Sequence, residues 1–129
     1  MSLRADTSLS DTLSQGDLSR TARALNLVAK DTSRSLFEAF YTLGQVGLLI
    51  SGSNDLTPRI RVYTDPDRPV RIDDYITGKR YILPVHEDRQ ACLEQALPAI
   101  AAGASLDEAL PDSVWFRGTV PGVPVLKAA

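Results

Sequence analysis

Apolar residues recur at three- and four-residue steps through the first third of the chain. Between Asp17 and Ile50, the residues Leu18, Ala22, Leu25, Ala29, Leu36, Phe40, Leu43 and Gly47 fall on one side of a 3.6-residue helix, with one gap between Ala29 and Leu36. Asp17, preceded by Gly16, has the short carboxylate that caps a first turn. The gap coincides with Lys30-Asp31-Thr32-Ser33-Arg34 and leaves two arrangements open. Either one helix runs through, or a second helix starts at Ser35, where Ser35-Leu36-Phe37-Glu38 has capping-box spacing. Gly44 and Gly47 weaken the helical pattern, and Gly47 to Ser51 reads as a short buried strand.

The period then changes from 3.6 to 2. From Arg59 to Thr64, Ile60 and Val62 point one way while Arg59, Arg61 and Tyr63 point the other, which predicts a strand with one buried face. Two prolines in Asp65-Pro66-Asp67-Arg68-Pro69 exclude an element interior. Val70 and Ile72 resume a strand, Thr77-Gly78 turns, and Lys79 to Val85 predicts another strand with Tyr81, Leu83 and Val85 on one face. A helix follows Glu87-Asp88, carries Leu93, Leu97 and Ile100, must kink or split at Pro98, and ends at Gly103. Ser105-Leu106-Asp107-Glu108 is a second capping-box pattern, and Pro111 stops the short helix that it opens. Beyond it, Trp115-Phe116 reads as an anchor and Thr119 to Leu126 as an extended segment.

These elements predict an α+β fold: an N-terminal helix or helix pair, a small antiparallel sheet of three or four strands, and a C-terminal helix on one sheet face. The expected organisation is a flexible arm over 1–16, a single α+β domain over 17–113 and an extended arm over 114–129. Hydrophobic residues are 43% of the chain but aromatic ones only 6%, so the core is expected to rest on Leu, Val, Ile and Ala.

Net charge is −2, so no global positive field holds a polyanion. The charge is unevenly placed: residues 51–80 carry six basic and five acidic side chains, and residues 81–129 carry three and six. Cys92 stands alone, so no intramolecular disulfide forms, and the expected compartment is the cytoplasm. The polar N-terminus lacks the apolar core of a signal peptide, and no apolar run reaches the roughly 20 residues of a membrane span.

Candidate chemistry is sparse, and the chain reads as non-enzymatic. One His and one Cys do not make a zinc site. His86, Glu87 and Asp88 are neighbours whose side chains diverge and which suit a helix start. Asp65, Asp67, Asp73 and Asp74 suit turns better than a cation site. Cys92 beside Leu93 reads as an inert thiol, and no glycine-rich phosphate loop occurs. No metal and no cofactor are therefore expected.

Function is expected to lie on surfaces. The leading expectation is a small soluble accessory protein that binds another protein, or a second copy of itself, through Leu25, Leu36, Phe40, Leu43, Trp115 and Phe116. The alternative is nucleic acid. Arg59, Arg61, Arg71, Lys79 and Arg80 lie on adjacent predicted strands with Tyr63 among them, which could neutralise and stack on a single strand. The aspartates of the same region would instead give a solvated face with cross-strand ion pairs.

Ala22-Arg23-Ala24-Leu25-Asn26-Leu27, Ser33-Arg34 and Leu43-Gly44, with Leu56-Thr57-Pro58 beyond, occur at a spacing that resembles the N-terminal helix-turn-helix of LysR-type regulators. The resemblance covers about a fifth of the chain. It implies a DNA-binding segment over 17–44 in which Lys30, Thr32, Ser33 and Arg34 open the recognition helix. Val28, Asp31, Thr32, Ala39 and Phe40 depart from that family's pattern.

Overall fold

The computed structural model describes residues 18–29, 35–42, 45–52, 58–65, 68–84 and 89–123. Helix α1 (Leu18–Ala29) leads into five consecutive strands: β1 (Ser35–Thr42), β2 (Gln45–Gly52), β3 (Pro58–Tyr63), β4 (Val70–Asp74) and β5 (Lys79–Leu83). Helices α2 (Arg89–Ala101) and α3 (Leu106–Ala109) follow, and β6 (Phe116–Thr119) closes the order. The strands form one antiparallel sheet in the order β1-β2-β3-β4-β5-β6. The class is α+β as expected, with six strands where three or four were expected. No described helix is long and apolar enough to cross a membrane.

The largest correction concerns residues 35–42. The capping-box pattern at Ser35 predicts a helix, yet this segment is strand β1, paired from Ser35↔Gly52 to Thr42↔Gln45. Leu36 and Phe40 fit a helical stripe, but Phe37 and Ala39 fit a strand equally well, and the aromatic residues favour the pleated surface. Among the described residues one helix, Leu18–Ala29, precedes β1, and the second helix expected from Ser35 is not formed, because β1 occupies Ser35–Thr42. Lys30 and Arg34 lie outside the described residues.

One face of the sheet carries the core. Phe37, Leu48, Ile50, Val62, Val70, Ile72, Tyr81 and Leu83 share that face by register and are buried in one cluster with residues of the three described helices. From α1 come Leu18, Ala22, Leu25 and Ala29; from α2 Leu93, Ala96, Leu97 and Ile100; from α3 Leu106. The Leu18–Ala29 part of the stripe thus covers this protein's own sheet. Pro98 does not split α2, which runs on to Ala101. Beyond it, Ala104 N–H donates to Ala99 O and Gly103 N–H to Ile100 O, with Gly103 at φ 106°, closing the helix as a Schellman turn. The predicted capping box at Ser105 and Glu108 is present in both directions. The predicted C-terminal arm is in part sheet: Trp115 is buried in the core and Phe116–Thr119 pairs with β5.

Helix α1 also guards an edge. The Asn26 side chain donates from Nδ2 to Phe37 O at 2.9 Å and accepts from Phe37 N–H through Oδ1 at 2.7 Å. One amide thus copies the pairing that a neighbouring strand would supply, and an unguarded strand edge invites pairing with another chain. Asn26→Leu is expected to lower stability by about 2 kcal/mol, the sum of two ordinary hydrogen bonds. It should also introduce concentration-dependent association, seen as a lower urea midpoint together with rising light scattering. A monomeric variant of unchanged midpoint would show that the amide guards nothing.

Candidate functional site

The three described helices lie on one side of the sheet, so the opposite face is open among the described residues. Two cross-strand rows run across it. The first is Phe40–Gly47–Tyr63–Arg71–Ile82–Phe116 and the second is Glu38–Leu49–Arg61–Asp73–Arg80–Gly118. The alternation predicted for β3 is observed, with Val62 in the core and Arg61 and Tyr63 on the open side.

Aromatic rings and guanidinium planes interlock along these rows. Phe40 and Tyr63 meet edge to face with ring centroids 5.8 Å apart, directly above Gly47. The Arg71 guanidinium lies 4.0 Å above the Tyr63 ring, and that of Arg61 lies 5.7 Å from Phe40 and 5.9 Å from Tyr75. Asp73, only 1% exposed, accepts from Arg80 Nε at 2.7 Å and from Arg80 Nη2 at 3.1 Å. Arg71 Nε lies 3.4 Å from the same carboxylate. Among the described residues, Nε of Arg61 and Nε of Arg71 are buried without an aligned hydrogen bond.

The network sets the behaviour of its own hydroxyls. Burial resists ionisation of Tyr63, but hydrogen bonds from Tyr75, Arg61 and Arg71 outweigh it and hold the phenol below its ordinary value. Tyr75 is pushed up to about 12, by burial first and then by its hydrogen bond with Tyr63. Arg61 is held above its ordinary value by the hydrogen bond to Tyr63, against burial.

A raised Tyr75 fixes the sign of an alkaline effect. The unfolded chain loses this proton near pH 10.0, while the folded protein keeps it to about 12. Stability that Tyr75 contributes below pH 10.0 is therefore lost as pH rises towards 12. Tyr81, raised by burial and by its bond to Asp107, acts in the same direction. The urea midpoint is expected to decline above pH 10.0, and Tyr75→Phe should flatten part of that decline. A wild-type midpoint constant across this range would contradict the assignment.

The candidate residues are distributed as follows. Arg61, Tyr63, Arg71 and Arg80 come together on the open face with Phe40 and exposed Phe116. Arg59 does not join them. The register slips between Ile50 and Ser51, and Arg59 lines a cleft of about 370 Å³ with Lys79, Tyr81 and Asp107 on the helix side. There Tyr81 donates to Asp107 at 2.7 Å and Lys79 pairs with it at 3.2 Å, tying α3 to the sheet. Leu25 and Trp115 are in the core. The side chain of Leu36 and all of Leu43 lie outside the described residues.

Asp73 and Asp74, adjacent in sequence, face opposite ways. Asp73 joins the arginines, and Asp74 accepts from Ile76 N–H and Thr77 N–H in the β4–β5 turn. Among the described residues no group of three or more His, Cys, Asp or Glu side chains lies close enough to hold a metal ion.

Sequence reasoning missed Gly47, Ile82 and Asn26 as members of these arrangements. Ile82 carried a usable signal, since it follows Arg80 by two positions and must share its face. Comparison with protein-family models, with curated proteins and with solved structures finds no match.

Proposed function

We propose that this chain is a small non-enzymatic protein–protein interaction or accessory protein whose working surface is the open face of the sheet. The reading is supported by the row Phe40–Tyr63–Arg71–Ile82–Phe116, which spans the sheet from β1 to β6 with no described helix over it. Phe116 is 62% exposed at one end of that row. Among the described residues the two rows hold arginine, aromatic and aliphatic side chains and no lysine, with Glu38 and Asp73 as their carboxylates. That composition is what interface cores favour. Of the residues expected first, Leu25 and Trp115 are occupied by the protein's own core, while Phe40 and Phe116 lie on the open face, so the interaction role is assigned to that face. The lone Cys92 supports the cytoplasm as its compartment.

A photo-crosslinking amino acid placed at position 82 or 116, compared with one at the exposed helix position Leu27, tests this in the native host. Discrete protein adducts are expected at the sheet positions and not at 27. Equal labelling at 27, or none on the sheet, would refute the assignment. Sedimentation of the purified chain shows whether the partner is a second copy.

Single-stranded nucleic acid is a second reading, supported by Arg61, Arg71 and Arg80 on one face. It is weakened by Tyr63, which is 6% exposed beneath Arg71 and presents no free ring face for a base.

A further inference from the structure

The open face contains a depression of about 290 Å³ whose lining includes Tyr63, Arg68, Arg71, Arg80 and Ile82. We propose that it is a carboxylate pocket, and that its occupant is an acidic segment of a partner protein with an apolar residue beside the acid. The proposal rests on the open face being the working surface and names the chemistry of what sits there.

Four observations carry it. Three guanidiniums line one small depression, while Asp73, the carboxylate nearest to Arg71 and Arg80, is shared between them. Asp65 also lines it, but its Oδ1 already accepts from Val46 N–H at 2.9 Å. Among the described residues the site therefore holds more positive than negative charge, and an incoming carboxylate completes the balance.

Arg71 is also held in place. Its guanidinium rests 4.0 Å above Tyr63, so little side-chain freedom is left to lose on binding. Its Nε is buried and faces Asp73 at 3.4 Å, which fixes the guanidinium further. Arg80 spends Nε and Nη2 on Asp73, which leaves Nη1 for a further acceptor.

The rim is built for a peptide. Pro69 and Ile82 lie beside the arginines and suit an aliphatic or aromatic neighbour of the acid. The lip that bears Arg68 is fixed from behind: Arg89 donates to Arg68 O at 2.8 Å, to Asp65 O at 3.1 Å and to Thr64 O at 3.3 Å. A nucleic acid could offer phosphate to the same guanidiniums, but its bases would find Tyr63 already capped.

The test uses the full chain and three fluorescein-labelled probes: a peptide of Glu-Leu repeats, the same peptide with Gln for Glu, and oligo(dT). Anisotropy should show the Glu peptide binding at least about tenfold more tightly than the Gln peptide, and weakening as salt rises. Arg71→Gln should reduce Glu-peptide affinity by about tenfold. Arg71→Lys, which keeps the charge but loses the planar fork, should also weaken it. Retained thermal midpoints establish that both variants fold; if Arg71→Gln does not, the Arg71→Lys result and peptide-induced amide shifts at Gln45 and Ile82 decide.

The pocket assignment is overturned if the Glu and Gln peptides bind alike, if neither binds, or if oligo(dT) binds more tightly than the Glu peptide. Productive crosslinking at position 82 with no Glu-peptide binding would remove the pocket and leave the open face standing. Failure of both removes both.

Discussion

Asp73→Ala is expected to cost about 3 kcal/mol, the lower end of what breaking a buried ion pair removes. The lower end applies because Arg80 retains 22% side-chain exposure while Asp73 retains 1%. The carboxylate holds Arg80 through two hydrogen bonds and lies within 3.4 Å of Arg71 Nε. Its removal leaves Arg61, Arg71 and Arg80 as close neighbours of like charge with no buried counter-ion among the described residues. Arg80 is held above its ordinary value first by the hydrogen bond to Asp73, which outweighs the effect of its burial. A loss of this size is a large share of the roughly 5–15 kcal/mol that stabilises a typical domain.

Urea denaturation reads the effect as a lower midpoint at similar slope. The double variant Asp73→Leu with Arg80→Met should recover most of the loss, since apolar replacements of both partners leave no orphaned charge between them. A single-variant cost below about 1 kcal/mol would show that solvent screens the pair as at an ordinary surface.

Gly47→Ala is expected to cost a similar amount, about 3 kcal/mol, although it adds one methyl group. A Cβ at this position would lie 1.8 Å from Val62 O, and 3.0 Å from the Phe40 ring. The ring could rotate, but the carbonyl belongs to the neighbouring strand. β2 and β3 would have to part in the middle of the sheet. Phe40→Ala in the same chain should therefore fail to rescue the variant, because the nearer obstacle is backbone. Full rescue would mean that the ring alone requires the glycine. Weakened near-ultraviolet circular dichroism from the Phe40–Tyr63 pair should accompany the loss.

Much of the later fold was legible because those segments obey one period at a time. β3 alternates cleanly, β5 sets Tyr81 and Leu83 inward, and α2 and α3 carry recognisable end signals at Gly103 and Ser105. β1 was illegible for a physical reason. Its outward side carries Phe40 instead of a polar residue, so the contrast between faces that marks a strand is missing. The same feature hid the site. Arg61, Tyr63, Arg71 and Arg80 could be grouped from alternation, but their junction with Phe40 depends on a strand that the helical stripe concealed. Trp115 and Phe116, read together as an anchor, separate because neighbours in extended chain face opposite ways: the first enters the core and the second stays outside.

The order of the strands has a consequence for how the molecule is made. From β1 to β5 every strand lies beside the one that precedes it in the chain, so each pairing closes over a short span. β6 alone returns after both later helices, to lie against β5. On a ribosome, the margin formed by Lys79–Leu83 stays bare until Phe116–Thr119 has been made. Until then the nascent protein is open to unwanted pairing along this margin, and truncation ahead of Phe116 would make that exposure permanent.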